Sequence, residues 1–361
     1  MRCADLSIAG VAYRLPGTLP VADAIAAGAY DAAEQEANAY LSVTVADGEA
    51  PPDMAVAAGR LALRRSGVPA ADVALLLHAS ARFQGIDYWP AASYVHREVL
   101  GDAVRRAPAL DVQQMCDGAL GALELAASYL AADPARRAAL ITTGDRMDGP
   151  GFDRWSADVR GIVYGDGGAA AVLVRDGGAP GGADGHGFAR LLAVTTVVDT
   201  GLEGMYRGDL EFADAPGRPV DVRSRREAFA TAIGGLPAQR IAAGLTEAVT
   251  ATLDEAGLDL DDVTRFVFPN VGLQGLTNAY VRPLGITLER TAWEWGRRTG
   301  HVGAADQLTG LTHLVESGAV RPGDRVMLVG IGAGFAWTCA LLELTETRGW
   351  PDVAEGGRTG G

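Results

Sequence analysis

The sequence has no lysine. All 31 of its cationic side chains are arginine, set against 45 Asp and Glu, for a net charge of −14. No basic surplus exists to neutralise phosphates, which excludes a general nucleic-acid binder. A lysine-dependent GxxxxGK[ST] phosphate loop cannot be formed either. The all-arginine usage, with abundant Ala and Gly, reads as GC-rich coding rather than as a site. Only three cysteines occur, Cys3, Cys116 and Cys339, with no CxxC and no Cys/His cluster. That excludes a disulfide framework and a cysteine-based metal cage, so no metal site is expected. No apolar run is long enough to span a bilayer. The start, MRCADLSIAGVAYRLPG, lacks the basic region and sustained apolar stretch of a secretory signal. With 48% hydrophobic residues the chain is not disordered. The expectation is a soluble, cytoplasmic α/β protein in a reducing compartment, with room for one reactive thiol.

Helical and strand periods alternate. Residues 54–66 read as a helix stopped by Gly67, and 73–79 (VALLLHA) as a buried strand. Residues 117–132 read as a helix rich in Ala and Gly on several faces, hence packed on both sides. AALITTG at 138–144 and GIVYGDGGAAAVLVRD at 161–176 read as strands and their connecting turn. The second half repeats the order. A helix over 241–256 ends at Gly257, and the strand VTRFVFPN follows. An offset of 190 aligns Gly67 with Gly257, Asp72 with Asp262 and Val73 with Val263. DQLTGLTHLVESG (306–318) echoes the helix after Cys116, and RVMLVGIGAGFAWTCALLELTE echoes 138–176. Three matches in one order predict a duplicated unit. The expected division is 1–175, 176–346 and a frayed tail, 347–361, with glycine-rich 176–187 as a loop between the halves.

Cys116 lies in DVQQMCDGALGALELAASYL, where a strand-like segment runs into the thiol and a helix begins at once. At a helix N-terminus free N–H groups favour thiolate. Gly118 reads as leaving room for an acyl group. The local pattern fits a nucleophile and a buried structural thiol equally well. Cys3 and Cys339 lack this setting. His78 and His313 read as structural, and His186 falls in the glycine-rich loop. His301, in RRTGHVGAADQLTG, stands at the second-half counterpart of Cys116, and Asp306 follows five residues later. The spacing suits a helix cap and a carboxylate orienting His301 equally. GIGAGF (330–335) fits either backbone N–H groups aimed at an oxyanion or a tight turn between strands. It does not open a helix, so no dinucleotide site is read.

At these residues the chain resembles the β-ketoacyl synthase III branch of the thiolase superfamily over roughly residues 5–345. DVQQMCDGALGAL, VYGDGGAAAVL and GIGAGFAWTCALLEL carry the likeness. The resemblance implies a five-layered αβαβα thiolase fold built from two duplicated halves, and a homodimer. It makes Cys116 the acylated nucleophile, with the N–H groups of Cys116 and Ala333 as oxyanion donors. Asn270, Trp89, Gly332 and Gly334 are expected at the substrate, Trp89 reaching into the partner's acyl pocket from segment 81–99. No cofactor of the enzyme's own is implied, because the donor brings its phosphopantetheine or coenzyme A.

Two departures change the implied chemistry. Decarboxylating synthases carry a histidine in a Pro-His-Gln-Ala motif where this chain has Pro269-Asn270-Val271-Gly272. Their Gly-Asn-Thr asparagine is here Gly300-His301-Val302, and Asp306 is added. The pattern resembles the ketosynthase III-like acyltransferases of antibiotic biosynthesis, which use Cys–His–Asp. TTVVDTGLEGMYRG (195–208) resembles a loop of that group. The Thr-Gly-Ile-x-x-Arg motif that grips coenzyme A is not visible near 25–45, which favours an acyl carrier protein as donor over acyl-coenzyme A. The implied activity is acyl transfer through Cys116 to a hydroxyl or amine of a sugar or aminocyclitol, His301 acting as base and Asp306 orienting it. The rival readings are a decarboxylating synthase, an acyl-thioesterase and a catalytically silent dimer partner.

Overall fold

A computed structural model describes residues 1–149, 151–177, 187–212, 219–235, 237–347 and 350. Most of the loop expected at 176–187 and of the tail expected at 347–361 lies outside the described residues. The strands are β1 Leu6–Arg14, β2 Gly17–Pro20, β3 Ser42–Val45, β4 Val73–Ala79, β5 Ala109–Val112, β6 Ala138–Asp145, β7 Gly167–Arg175, β8 Ala189–Val198, β9 Arg265–Val267, β10 Arg325–Val329 and β11 Ala336–Leu344. β2 and β3 pair with each other, and the other nine run in the order β5-β4-β6-β7-β1-β8-β11-β10-β9.

That order contains the duplication. In the first half β4 is parallel to β6, and β6–β7 and β7–β1 are antiparallel. In the second, β9 is parallel to β10, and β10–β11 and β11–β8 are antiparallel. Within the sheet the halves meet where β1 pairs with β8, at Ser7↔Arg190 and Ile8↔Ala189. A counterpart of β5 survives as a single bridge, Phe266↔Thr291. The local punctuation repeats as well. Helix Pro51–Ser66 ends on Gly67 at φ 66° and helix Ala238–Ala256 on Gly257 at φ 69°, a left-handed geometry that suits glycine. A short 3₁₀ turn and a strand follow each.

The layers follow from the two-residue period of the strands. Ala139 and Ile141 of β6, and Ala169, Ala171 and Leu173 of β7, face the helices Gly118–Ala131 and Asp306–Glu316. Val326 and Leu328 of β10, and Ala340 and Leu342 of β11, face the same pair from the other side. Ala138, Leu140, Ala170, Val172 and Val174 point outward onto Pro51–Ser66. Met327, Val329, Cys339 and Leu341 point outward onto Ala238–Ala256. The result is helix, sheet, helix pair, sheet, helix. Burying each large aliphatic side chain contributes roughly 1.5–3 kcal/mol. The middle helices owe their closeness to small residues: Gly118, Ala119, Gly121, Ala122, Ala126 and Ala127 are all buried.

Two expected strands are shorter than their sequence patterns. VTRFVFPN pairs only over Arg265–Val267, because the Asn270 N–H bonds Asp306 instead of a strand. In 161–176 the ladder starts at Gly167. Ahead of it, Tyr164 bridges His301, and buried Asp166 pairs with Arg154 at 3.0 Å.

Candidate active site

Cys116, His301 and Asp306 converge at the N-terminal ends of the two middle helices. Met115 adopts φ 51°, a left-handed conformation costly for a side chain of this type, and turns the chain so that Cys116 begins the turn into Gly118–Ala131. His301 is fixed by its backbone: its N–H donates to the Val163 carbonyl at 2.8 Å, and its own carbonyl accepts from the Gly165 N–H at 3.0 Å. Its Nε2 lies 3.0 Å from Cys116 Sγ, and its Nδ1 lies 2.5 Å from Asp306 Oδ2. The imidazole is 4% exposed and the carboxylate fully buried.

Asp306 is not a simple helix cap. It is the first residue of its helix, and four donors share its two oxygens. Oδ2 takes His301 Nδ1 and the Asn270 N–H (2.8 Å). Oδ1 takes the Val302 N–H (2.8 Å) and Asn270 Nδ2 (3.1 Å). Burial on its own pushes the His301 pKa down. The Asp306 carboxylate, followed by the Cys116 sulfur, overcomes this and holds it well above the ordinary imidazole value.

Asn270, expected at the substrate, is turned away from it. Its amide donates to Thr299 Oγ1 and the Gly300 carbonyl, both at 3.0 Å, as well as to Asp306. It holds the carboxylate that holds His301. Gly118 does not make room for an acyl group: a Cβ there would lie 3.1 Å from Ala79 Cβ and 3.6 Å from Ala304 Cβ, so its smallness serves packing. Trp89 is half-buried against Tyr94, with centroids 5.7 Å apart, and does not line this chain's own cavity. Cys3 and Cys339 lie elsewhere. Burial pushes the Cys3 thiol up to about 11 and raises Cys339 further, so neither has the character of a nucleophile.

The glycine cluster forms the expected tight turn between strands. Gly332 and Ala336 exchange hydrogen bonds of 2.9 and 3.0 Å, making the tight turn. A Cβ on Gly332 would lie 2.4 Å from the Gln114 carbonyl oxygen, and one on Gly330 would lie 1.9 Å from Asp117 Oδ1, so the loop presses directly on the Cys116 turn. Gly334, at φ 139°, holds a conformation that other residues rarely adopt. The N–H groups of Cys116 and Ala333 make no hydrogen bond to another described residue.

A cavity of about 180 Å³ opens beside Cys116 and His301. Tyr164, Tyr206, Tyr280 and Phe335 supply aromatic walls, and Asp158 and Arg226 supply charge. The Tyr164 ring lies 5.1 Å from His301, and its hydroxyl donates to Asp158 at 2.6 Å. None of these six was singled out from the sequence. Three of them lie in segments that the sequence did mark: Tyr164 in 161–176, Tyr206 in 195–208 and Phe335 in 330–335. Among the described residues no group of three or more His, Cys, Asp or Glu is placed to hold a metal ion, and no helix is long and apolar enough to cross a membrane.

The fold and site define a thiolase-type acyl-transferring or condensing enzyme, and the comparisons agree. The family description 3-oxoacyl-[acyl-carrier-protein (ACP)] synthase III matches residues 110–186, and its C-terminal counterpart matches 253–344. The solved structure of the acyltransferase ChlB3 is 35% identical and superposes with a TM-score of 0.87, covering 95% of this chain and 98% of that one. The synthase III of Aquifex aeolicus superposes with a TM-score of 0.74 at 20% identity, over 94% of this chain and 99% of that one. Beta-ketoacyl-[acyl-carrier-protein] synthase III of Brucella suis is 27% identical over 305 residues, which are 82% of this chain and 85% of the relative. The chain belongs to the ketosynthase III-like branch of the thiolase superfamily.

Proposed function

We propose that this enzyme moves an acyl group from an acyl carrier protein, or from coenzyme A, through acyl-Cys116 to a hydroxyl or amine of a sugar or aminocyclitol in antibiotic biosynthesis. The continuous contact from Asp306 to His301 to Cys116 carries the reading. The acyltransferase neighbour supports it.

The steps follow from the residues. His301 takes the Cys116 proton, and the sulfur attacks the thioester carbonyl. The N–H groups of Cys116 and Ala333 hold the oxyanion. The donor carbon–sulfur bond breaks, and the pantetheine thiol leaves with the proton from His301. Acylation removes the charge on sulfur that helped raise the His301 pKa, so the imidazole is released to act as base. It takes the proton of the acceptor, whose oxygen or nitrogen attacks acyl-Cys116, and returns it to the departing Cys116 sulfur. Such a base contributes about 10²–10⁴-fold. Asp306 keeps the proton of neutral His301 on Nδ1, leaving Nε2 free to accept. The donor carries the only cofactor required.

Decarboxylation calls for an imidazole where Asn270 stands, and Asn270 faces Asp306 rather than the cavity. A homodimer in the cytoplasm completes the proposal. Phe83 and Ile86 are each 58% exposed and Leu110, on edge strand β5, is 54% exposed, which suits pairing of two such edges with Trp89 near the boundary. The test is to feed acyl and malonyl thioesters with candidate acceptors and follow carbon dioxide, free acid and acylated product. Acylated product without carbon dioxide is expected. Ready decarboxylation of the malonyl thioester would restore carbon–carbon bond formation, and free acid alone would indicate a thioesterase.

A further inference from the structure

The cavity before Cys116 is walled chiefly by apolar and aromatic side chains, and two arginines reach it. Arg160 is paired with Glu34 at 3.1 Å. Arg226, from the helix Val222–Ile233, forms no ion pair among the described residues, and its Nε is enclosed without a hydrogen-bond partner. The cavity's one carboxylate is committed elsewhere: Asp158 accepts from the Val159 N–H at 2.7 Å and from the hydroxyls of Tyr164 and Tyr206 at 2.6 and 3.5 Å. The guanidinium of Arg226 hydrogen-bonds the Tyr206 hydroxyl, and its carbon lies 5.9 Å from that ring's centroid. A cation drawn against apolar walls loses hydration, and among the described residues no carboxylate pairs with it directly. The planar guanidinium fork matches a carboxylate in two parallel hydrogen bonds.

We propose that Arg226 selects the acyl group, and that the substrate is the thioester of a short acyl chain bearing a free carboxylate. The carboxylate docks on Arg226 while the thioester carbonyl faces Cys116. This rests on the acyl-Cys116 reading above. A donor also carries phosphate, but the pantetheine arm separates that phosphate from the thioester, and the small cavity suits the acyl end.

Cys116→Ala protein, which cannot turn over, is titrated by calorimetry with two phosphate-free N-acetylcysteamine thioesters, succinyl and its neutral isostere succinamoyl. Succinyl should bind about 10- to 100-fold tighter, the range of a charge-assisted pair. Adding Arg226→Gln should abolish the preference, and Arg226→Lys should keep part of it. Equal affinities, or a preference that survives Arg226→Gln, would overturn the assignment. The same two acyl groups are then presented on coenzyme A; an effect of Arg226→Gln confined to that arm and equal for both would also overturn the assignment, because the anion read would then be the donor phosphate. If the preference holds but wild-type protein never forms acyl-Cys116, the transfer mechanism fails while the Arg226 assignment stands.

Discussion

Replacing Asp306 with Asn separates an orienting carboxylate from a structural one, and the hydrogen-bond count gives the outcome. Two oxygens serve four donors, two on each. Asn keeps one oxygen and gains an NH₂ group. Placed at Oδ1, the NH₂ strands the Val302 N–H and is itself stranded, because it faces only donors there; the Asn270 amide keeps Thr299 and Gly300. Placed at Oδ2, it faces the Asn270 N–H and His301 Nδ1. Imidazole can answer by moving its proton to Nε2, so only one donor is stranded. Each stranded donor costs about 1–3 kcal/mol, so the second orientation is preferred. That orientation puts the proton on the nitrogen facing Cys116, where it cannot accept one from the acceptor. Asp306→Asn should therefore lower stability by about 1–3 kcal/mol and acyl transfer by about 10³–10⁴-fold. Formation of acyl-Cys116 should suffer less. Denaturant melts give the first quantity. Quenched-flow mass spectrometry, following acyl-enzyme and product separately, gives the other two. Transfer within about tenfold of wild type by a folded variant would refute the orienting role, since a tautomer error in such a relay costs orders of magnitude.

Much of this was legible in the sequence because it is written locally. Gly67 and Gly257 mark equivalent helix ends 190 residues apart, and the equivalent strands take the same order in the sheet. Cys116 and His301 each sit at an abrupt change of period ahead of a middle helix, which is why their pairing could be anticipated. Side-chain direction was not legible. Asn270 occupies the aligned position of a catalytic histidine yet turns inward, because the buried Asp306 has acceptor capacity to fill. The cavity wall was not legible either: Asp158, Tyr206, Arg226 and Tyr280 come from four separate segments and share no spacing. Arg226 in particular is one of 31 arginines in the sequence and carries no signal until the fold brings it to the cavity.

Three further expectations extend the site, and one concerns the fold. An acyl thioester should add one acyl mass per chain to wild-type, Cys3→Ala and Cys339→Ala protein and none to Cys116→Ala; labelling that persists in the last would move the nucleophile. Asn270→His should not yield a condensing enzyme, because the new imidazole would face Thr299, Gly300 and Asp306; carbon dioxide release from malonyl thioester by this variant would contradict that geometry. Light scattering at micromolar concentration should give twice the 37.3 kDa chain mass, and a monomer would remove the dimer. The pH dependence of folding should carry the signature of Asp145. Burial, outweighing the N–H donors of Ala81, Arg82 and Ala304, pushes this carboxyl from 3.8 up to about 7. The folded chain therefore keeps a proton that the unfolded chain has lost across that window. Unfolding releases it, so the contribution of Asp145 to stability falls as pH rises from 3.8 to about 7 and is lowest above that. Asp145→Asn cannot titrate. Measured by denaturant melts, the stability of wild type relative to this variant should decline from pH 4 to 7 by at most about 1.4 kcal/mol per pH unit and then level off. A difference that is flat, or that grows with pH, would mean the buried carboxyl stays ionised throughout, held by its backbone donors.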